Sequence, residues 1–252
     1  WREARETTFK LRPQLEKKGI HFIAERADAI DAANQQIFLA NGESVGYDYL
    51  VIATGPRLAF ELVPGAGPEN GHTHSVCTVE HAERALERYL AFLDNPGPVV
   101  IGALPGASCF GPAYEYAMAL ETDLRRRKLR HQVPITFVTP EPYVGHLGLG
   151  GVGDSRGMVE AEFRQRHIKW IAHARTTRIE AGRMHVDELD DFGETRHQHM
   201  LDFSFAMMLP AFRGVDAVAG VAGLCDAEGF VIVDEHQCSL VYPSIFSAGV
   251  CI

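Results

Sequence analysis

Between Val99 and Tyr116 the chain reads VVIGALPGASCFGPAYEY, and this stretch limits what the rest can fold into. Val99-Val100-Ile101 is apolar and β-branched, the composition of a buried strand. Gly102, Gly106 and Gly111 mark a loop, and the run from Pro112 onward reads as a helix. Strand, glycine loop and helix in that order form the arrangement that cradles a dinucleotide. That cradle uses G-x-G-x-x-G, so that backbone can close on a pyrophosphate. Leu104 holds the second glycine position here, and its side chain is expected to stand where the phosphates would lie. Cys109 comes shortly after Gly106. The loop therefore combines the shape of a nucleotide site with a thiol. Free cysteine is among the most buried residue types, so packing is the competing reading. A position just ahead of a helix suits a thiol that must act as a nucleophile.

The 252 residues allow one large or two ordinary domains. A net charge of −9 argues against a nucleic-acid or anionic-membrane surface on this portion. No apolar run reaches the ~18 residues that a membrane-spanning helix needs, and no signal peptide is visible. The five cysteines are Cys77, Cys109, Cys225, Cys238 and Cys251. An odd count without a C-x-x-C pair opposes both a disulfide framework and a structural zinc site. The twelve histidines show no metal-binding spacing, so no metal is expected. The chain starts at Trp1 inside a charged segment and stops at Cys251-Ile252 just after a strand-like run. That reads as a fragment of a longer polypeptide.

Taken in order, Arg2 to Lys18 reads as a helix with Gly19 just past its end, and Ile20 to Ala24 as a short strand. Ala27 to Ala32 and Gln36 to Leu39 read as strands, with a hairpin turn at Asn41-Gly42. Leu50 to Ala53 is a buried strand that ends in the tight turn Thr54-Gly55, the end at which α/β sheets bind ligands. Thr78 is a helix N-cap for about 79–93, which puts His81 in the first turn, near Cys77, as an ordinary solvated residue or a functional one. Asn95-Pro96-Gly97-Pro98 is a break, and a domain boundary is expected beside it. The helix from Pro112 to about Arg130 carries Glu115 in its first turn. It ends in Arg125-Arg126-Arg127-Lys128, a polarity that suits the helix dipole and needs no ligand. Ile135 to Val138 completes a βαβ unit. Glu141 stands roughly where an acidic residue would hold a ribose, although prolines flank it. His146 lies in the glycine-rich loop from Pro142 to Gly153. Next come a helix over 155–167 and strands at 168–171, 176–179 and 183–186. Strands at 201–209, 229–234 and 244–250 complete the chain.

The segments YDYLVIATGPRLAFE, HSVCTVEHAE, PGPVVIGALPGASCFGPAYEYA, PYVGHLGLGGVGDSRG and IFSAGVC together resemble sulfide:quinone oxidoreductases, in unbroken order over essentially the whole chain. The resemblance implies an α/β fold with two Rossmann-like lobes. The flavin lobe would be incomplete and split between about 1–94 and 216–252. A vestigial nicotinamide-type lobe over 95–215 would carry the cysteine loop. It implies FAD as cofactor, with sulfide and a membrane quinone as substrates. Cys109 resembles the cysteine beside the flavin, and Cys77 the second of the family's three. His81, Glu115 and His146 fall on positions that assist proton movement. Thr54, Gly55 and Gly249 resemble flavin contacts, and Ala27 a backbone contact to adenine. The first glycine fingerprint, a third cysteine and a C-terminal amphipathic region would lie outside this chain. Membrane contact is expected through those regions, as in a peripheral protein of a prokaryotic inner membrane, and a homo-oligomer is compatible with this. Three rivals stay open: a type II NADH:quinone oxidoreductase, a flavocytochrome c type sulfide dehydrogenase, and an inert truncated product. Leu104 and Cys109 both count against the first.

Overall fold

The computed structural model describes residues 4–252, and strand and helix alternate through its middle, from residue 79 to 171, as in an α/β unit, with runs of consecutive strands on either side. In chain order they are α1 (Arg12–Glu16), β1 (Ala27–Asp31), β2 (Gln36–Leu39), β3 (Ser44–Gly46), β4 (Leu50–Ile52) and β5 (Arg57–Ala59). The middle of the chain holds α2 (Val79–Phe92), β6 (Val99–Ala103), α3 (Gly111–Arg126), β7 (Ile135–Val138), α4 (Ser155–Gln165) and β8 (Ile168–Ile171). The chain closes with β9 (Ala174–Glu180), β10 (Arg183–Leu189), β11 (Thr195–Asp202), β12 (Phe205–Leu209), β13 (Ala211–Arg213), α5 (Asp216–Ala219) and β14 (Ile245–Ser247). Two compact units result. One combines the chain up to Leu58 with Phe212–Ile252, and the other is Ala59–Ala211. The expected break near residue 95 thus lies at 58/59, and the one near 215 at 211/212. The physical reason is α2. Its Tyr89 and Phe92 are buried in the same core as Val99 and Ile101, so the helix before Asn95 packs with the strand after it. Strands β5 and β13, at the two ends of the inserted segment, pair with each other.

In the first unit, β1, β2 and β3 form an antiparallel meander, and the Gly42 amide closes the turn on the Leu39 carbonyl at 2.9 Å. Strands β4 and β14 run parallel, with Leu50 opposite Ile245 and Ser247 opposite Ile52. The helix expected over 2–18 is broken. A 3₁₀ turn covers Ala4–Thr7, and α1 begins only at Arg12, with Pro13 in its first turn. Proline lacks the amide to continue a helix and disfavours helical backbone before it. Arg2 and Glu3 lie outside the described residues. Residues 20–24 form no strand, and the run 229–234 makes only isolated bridges, Cys225 to Val231 and Val233 to Ser239.

The second unit has three layers around a parallel sheet of order β12-β6-β7-β8. All of β6 and β12 is buried, which is why their sequences are continuous apolar runs. Strand alternation sorts the side chains. Val99, Ile101 and Ala103 join Ala113, Ala117, Leu120 and Leu124 of α3 and Phe163 of α4. Val100 and Leu104 face the other way, among Ile179, Met184 and Val186 of the antiparallel sheet β9-β10-β11. Each such aliphatic side chain contributes about 1.5–3 kcal/mol when fully buried. The arginine-rich end of α3 is internally paired. Buried Glu121 accepts from Arg125 at 2.6 Å and from Arg166 at 2.9 Å, which ties α3 to the end of α4, and Arg127 meets Asp123 at 2.6 Å.

Candidate functional site

The loop after β6 departs from the expected geometry at Leu104. Its side chain is 1% exposed and lies in the core rather than in the phosphate approach. The period of two that buries Val100 carries on to residue 104, and that signal is present in the sequence. The backbone closes the loop instead. The Leu104 amide donates to the Leu209 carbonyl at 2.8 Å, extending the ladder between β6 and β12. The Ala107 amide donates to the Leu104 carbonyl at 3.1 Å across Pro105-Gly106, and Gly106 has a φ of +80°. Proline then glycine at these positions is the signature of a type II turn. Amides a pyrophosphate would need are therefore already engaged.

This turn delivers Cys109 to the surface just ahead of α3, as a free thiol. Cys77 is also free, half-buried, and packed against the aromatic and aliphatic core of the same unit. Burial pushes the Cys77 thiol up, a hydrogen bond from Ser75 opposes that, and the nearby Cys109 sulfur adds to the rise. The fold thus brings the two sulfurs within electrostatic reach. In the reduced protein, iodoacetamide at about pH 8 should label Cys109 first and Cys77 much later, because only thiolate reacts. Buried Cys251 should label last. Mass mapping of the labelled peptides reads the order, and Cys77 labelling ahead of Cys109 would contradict it.

His81 is not the solvated residue that its helical position allows. Thr78 caps α2 by accepting from the His81 amide at 3.1 Å, and the His81 ring sits edge-on to Phe60 with centroids 6.1 Å apart. Its Nε2 lies 3.6 Å from Glu69, a carboxylate held below its usual range by Arg84. Its buried Nδ1 has no hydrogen-bond partner among the described residues. Glu115 is exposed one turn into α3. His146 is half-buried with its ring edge-on to Tyr143 at 5.2 Å, and its Nδ1 likewise has no partner among the described residues. The His146 loop lies on the cysteine loop. A Cβ built on Gly148 would fall 3.4 Å from the Phe110 ring and 3.6 Å from the Ser108 carbonyl oxygen.

Glu141 is turned away from any ribose. It is 3% exposed and accepts from three donors at 2.6 Å: the Tyr114 hydroxyl, the Thr139 hydroxyl and the Leu147 amide. Tyr114 comes 27 positions earlier than Glu141, so no local pattern in the sequence announces that contact.

In the first unit, a cleft of about 920 Å³ is lined by Ala27, Asp28, Val51, Thr54 and Asp216 among others. Because β4 and β14 are parallel neighbours, the Thr54-Gly55 turn and Gly249 lie beyond the same end of that sheet. The Thr54 hydroxyl donates to the Gly55 carbonyl at 3.1 Å. A Cβ added at Gly55 or Gly249 would meet no atom within 4 Å. The structure thus gathers Ala27 and Thr54 in one cleft and leaves open space beside both glycines.

A family model described as pyridine nucleotide-disulphide oxidoreductase matches residues 2–252. The chain is 41% identical over 252 residues to the sulfide-quinone reductase of Aquifex aeolicus, covering 99% of this chain and 56% of that protein. It is 24% identical over 259 residues to the mitochondrial sulfide:quinone oxidoreductase of Mus musculus, covering 98% and 54%. The X-ray structure of the Aquifex aeolicus sulfide:quinone oxidoreductase matches with a TM-score of 0.91 at 40% identity, over 100% of this chain and 57% of that one. The chain spans about half the length of the curated relatives it matches. The buried parallel sheet, the glycine loop and a family match over nearly the whole sequence agree, and this chain belongs to the pyridine nucleotide-disulphide oxidoreductase family.

Proposed function

We propose that the longer protein containing this chain oxidises sulfide with FAD and passes the electrons to a membrane quinone. The observation that carries the reading is Cys109, an exposed thiol on a glycine loop ahead of α3, with Cys77 in electrostatic reach. Similarity to the sulfide-quinone reductase of Aquifex aeolicus supports it. The net reaction is HS⁻ + H⁺ + quinone → S⁰ + quinol, a two-electron oxidation of sulfur balanced by quinone reduction.

The cleft of the first unit, with Ala27 and Thr54 in its lining, would receive a dinucleotide cofactor. Ala27 would offer backbone to an adenine, and Thr54, Gly55 and Gly249 would line the flavin, with open space beside both glycines. FAD, when bound, supplies two-electron chemistry that side chains lack. Cys109 is then the thiol that takes sulfur and delivers electrons, and Cys77 holds or releases sulfane sulfur. His146 and Glu115 accept and return protons near the cysteine loop. His81, its ring edge-on to Phe60 and its Nε2 3.6 Å from Glu69, is a further carrier of protons in this reading. A quinone is lipid-soluble, so the protein works at a membrane surface. Among the described residues no helix is long and apolar enough to cross a membrane. Contact through other segments, as in a peripheral protein of a prokaryotic inner membrane, fits that arrangement.

The test is anaerobic stopped-flow spectroscopy of the full-length protein. Sulfide should bleach the flavin and added quinone should restore it. NADH should not bleach it, because the Leu104 and Ala107 amides are engaged within the fold. Bleaching by NADH but not by sulfide would favour the NADH:quinone rival and overturn the reading.

A further inference from the structure

His146 is tied down on both sides by one pair of buried groups. On one side the Gly145 amide donates to the Tyr114 hydroxyl oxygen at 2.9 Å. On the other the Leu147 amide donates to Glu141 Oε1 at 2.6 Å. The pair is itself joined, since the Tyr114 hydroxyl donates to Glu141 Oε2 at 2.6 Å. Thr139 donates to the same oxygen at 2.6 Å and fixes the carboxylate from behind. The ring of Tyr114 is clamped by Phe137 and Phe163, with centroids 4.5 and 5.9 Å away. Burial, helped by the hydrogen bond to Glu141, pushes the Tyr114 phenol far up, so its proton stays on and its donor role is fixed.

The loop needs such tethers. Gly145, Leu147 and Gly148 all have positive φ, and for leucine that backbone is unfavourable unless its surroundings hold it. The outer part of the loop has its own ties, Ser155 to the Gly145 carbonyl at 2.7 Å and Tyr143 to the Gly150 carbonyl at 2.6 Å. The amides on either side of His146, however, are held by Tyr114 and Glu141. The same loop rests on Phe110 and Ser108, the neighbours of Cys109. An acidic residue at the place where a nucleotide site would hold a sugar is used here to fix a histidine loop beside a thiol.

We propose that Glu141 and Tyr114 are positioning residues that set where His146 stands beside the cysteine loop. The role of His146 in proton transfer rests on the sulfide-oxidation reading above, whereas the tether itself does not. A pair that positions, and does not itself react, should alter the rate of the step served by His146 and leave sulfide capture alone.

The experiment uses the full-length protein with Tyr114→Phe, Glu141→Gln and Glu141→Ala. Hydrogen exchange read by mass spectrometry gives the order of the loop without any turnover. Tyr114→Phe keeps the ring and removes one hydroxyl, so amide exchange over residues 143–153 should rise about tenfold while α3 and β7 keep their protection. In anaerobic stopped-flow, the limiting rate of flavin reduction by sulfide should fall about tenfold, with the half-saturating sulfide concentration unchanged. Glu141→Gln retains one acceptor and should lie between wild type and Glu141→Ala in both readouts. Unchanged exchange over 143–153 in Tyr114→Phe and Glu141→Ala would overturn the proposal. So would a slow rate accompanied by lost protection throughout β6, β7 and α3, which marks a merely structural role. Failure of the wild-type protein to be reduced by sulfide would sink the functional reading, and the exchange data would still decide the tether.

Discussion

In the full-length protein, Cys109→Ser should slow sulfide-dependent flavin reduction by on the order of a thousandfold or more, the loss expected on removal of a nucleophile. A hydroxyl stays protonated near neutral pH and does not form the sulfur–sulfur bonds through which sulfane sulfur is carried. Cys109 is exposed, so the change removes chemistry without opening a cavity, and the melting temperature should barely move. Cys77→Ser should retain partial activity, since it removes the second sulfur and leaves the first. Serine variants of Cys225 and Cys238 should be nearly silent in the same assay. Anaerobic stopped-flow gives the rates, and full-speed reduction in Cys109→Ser would leave Cys109 as a surface residue without a role.

The second large effect is structural and falls at Gly102. A Cβ built there would collide with the Val138 backbone across the β6–β7 pair, at the carbonyl oxygen, the carbonyl carbon and the nitrogen. No side-chain rotation relieves a clash with backbone, so two central strands must separate. Gly102→Ala should therefore destabilise the protein by about 3 kcal/mol or more, at the upper end of overpacking costs. That corresponds to a fall in melting temperature of about 6–12 °C. Gly111→Ala is the control, because a Cβ there meets nothing within 4 Å and should cost little. Equal melting temperatures for the two variants would show that the sheet accommodates a methyl group at Gly102.

Those two sites illustrate what a sequence can and cannot disclose. Strands with a buried apolar run are legible, since Val99–Ala103 and Ile135–Val138 are strands because of their composition. Thr78 is legible as a cap because capping is a local interaction. Strand β11, TRHQHMLD, escapes such a reading over most of its length. It is largely exposed and held by backbone pairing to β10, so it carries little hydrophobic signal. Leu104 is misplaced when the glycine motif is weighed ahead of the alternation that buries it. Glu141 is misplaced because the Tyr114 hydroxyl reaches it from α3, 27 positions away, and a contact between distant segments leaves no trace in a local pattern. Motif alone singles out the candidate cysteines, whereas the network that fixes the His146 loop emerges only from the folded structure.

The pairing of β4 with β14 has a consequence for biosynthesis. The Ser247 hydroxyl reaches the Ile52 carbonyl across 195 positions of chain, so the first unit cannot close until Ser247 has left the ribosome. The intervening Ala59–Ala211 is one continuous segment whose two buried clusters are built from its own residues, and such a unit is expected to form as a whole. Closing a loop of that length in an unfolded chain costs roughly 5 kcal/mol of entropy. Once the inserted segment has folded, the pairing of β5 with β13 holds its two ends side by side. The long loop is then replaced by a short one, and the late strand meets its early partner at little further cost.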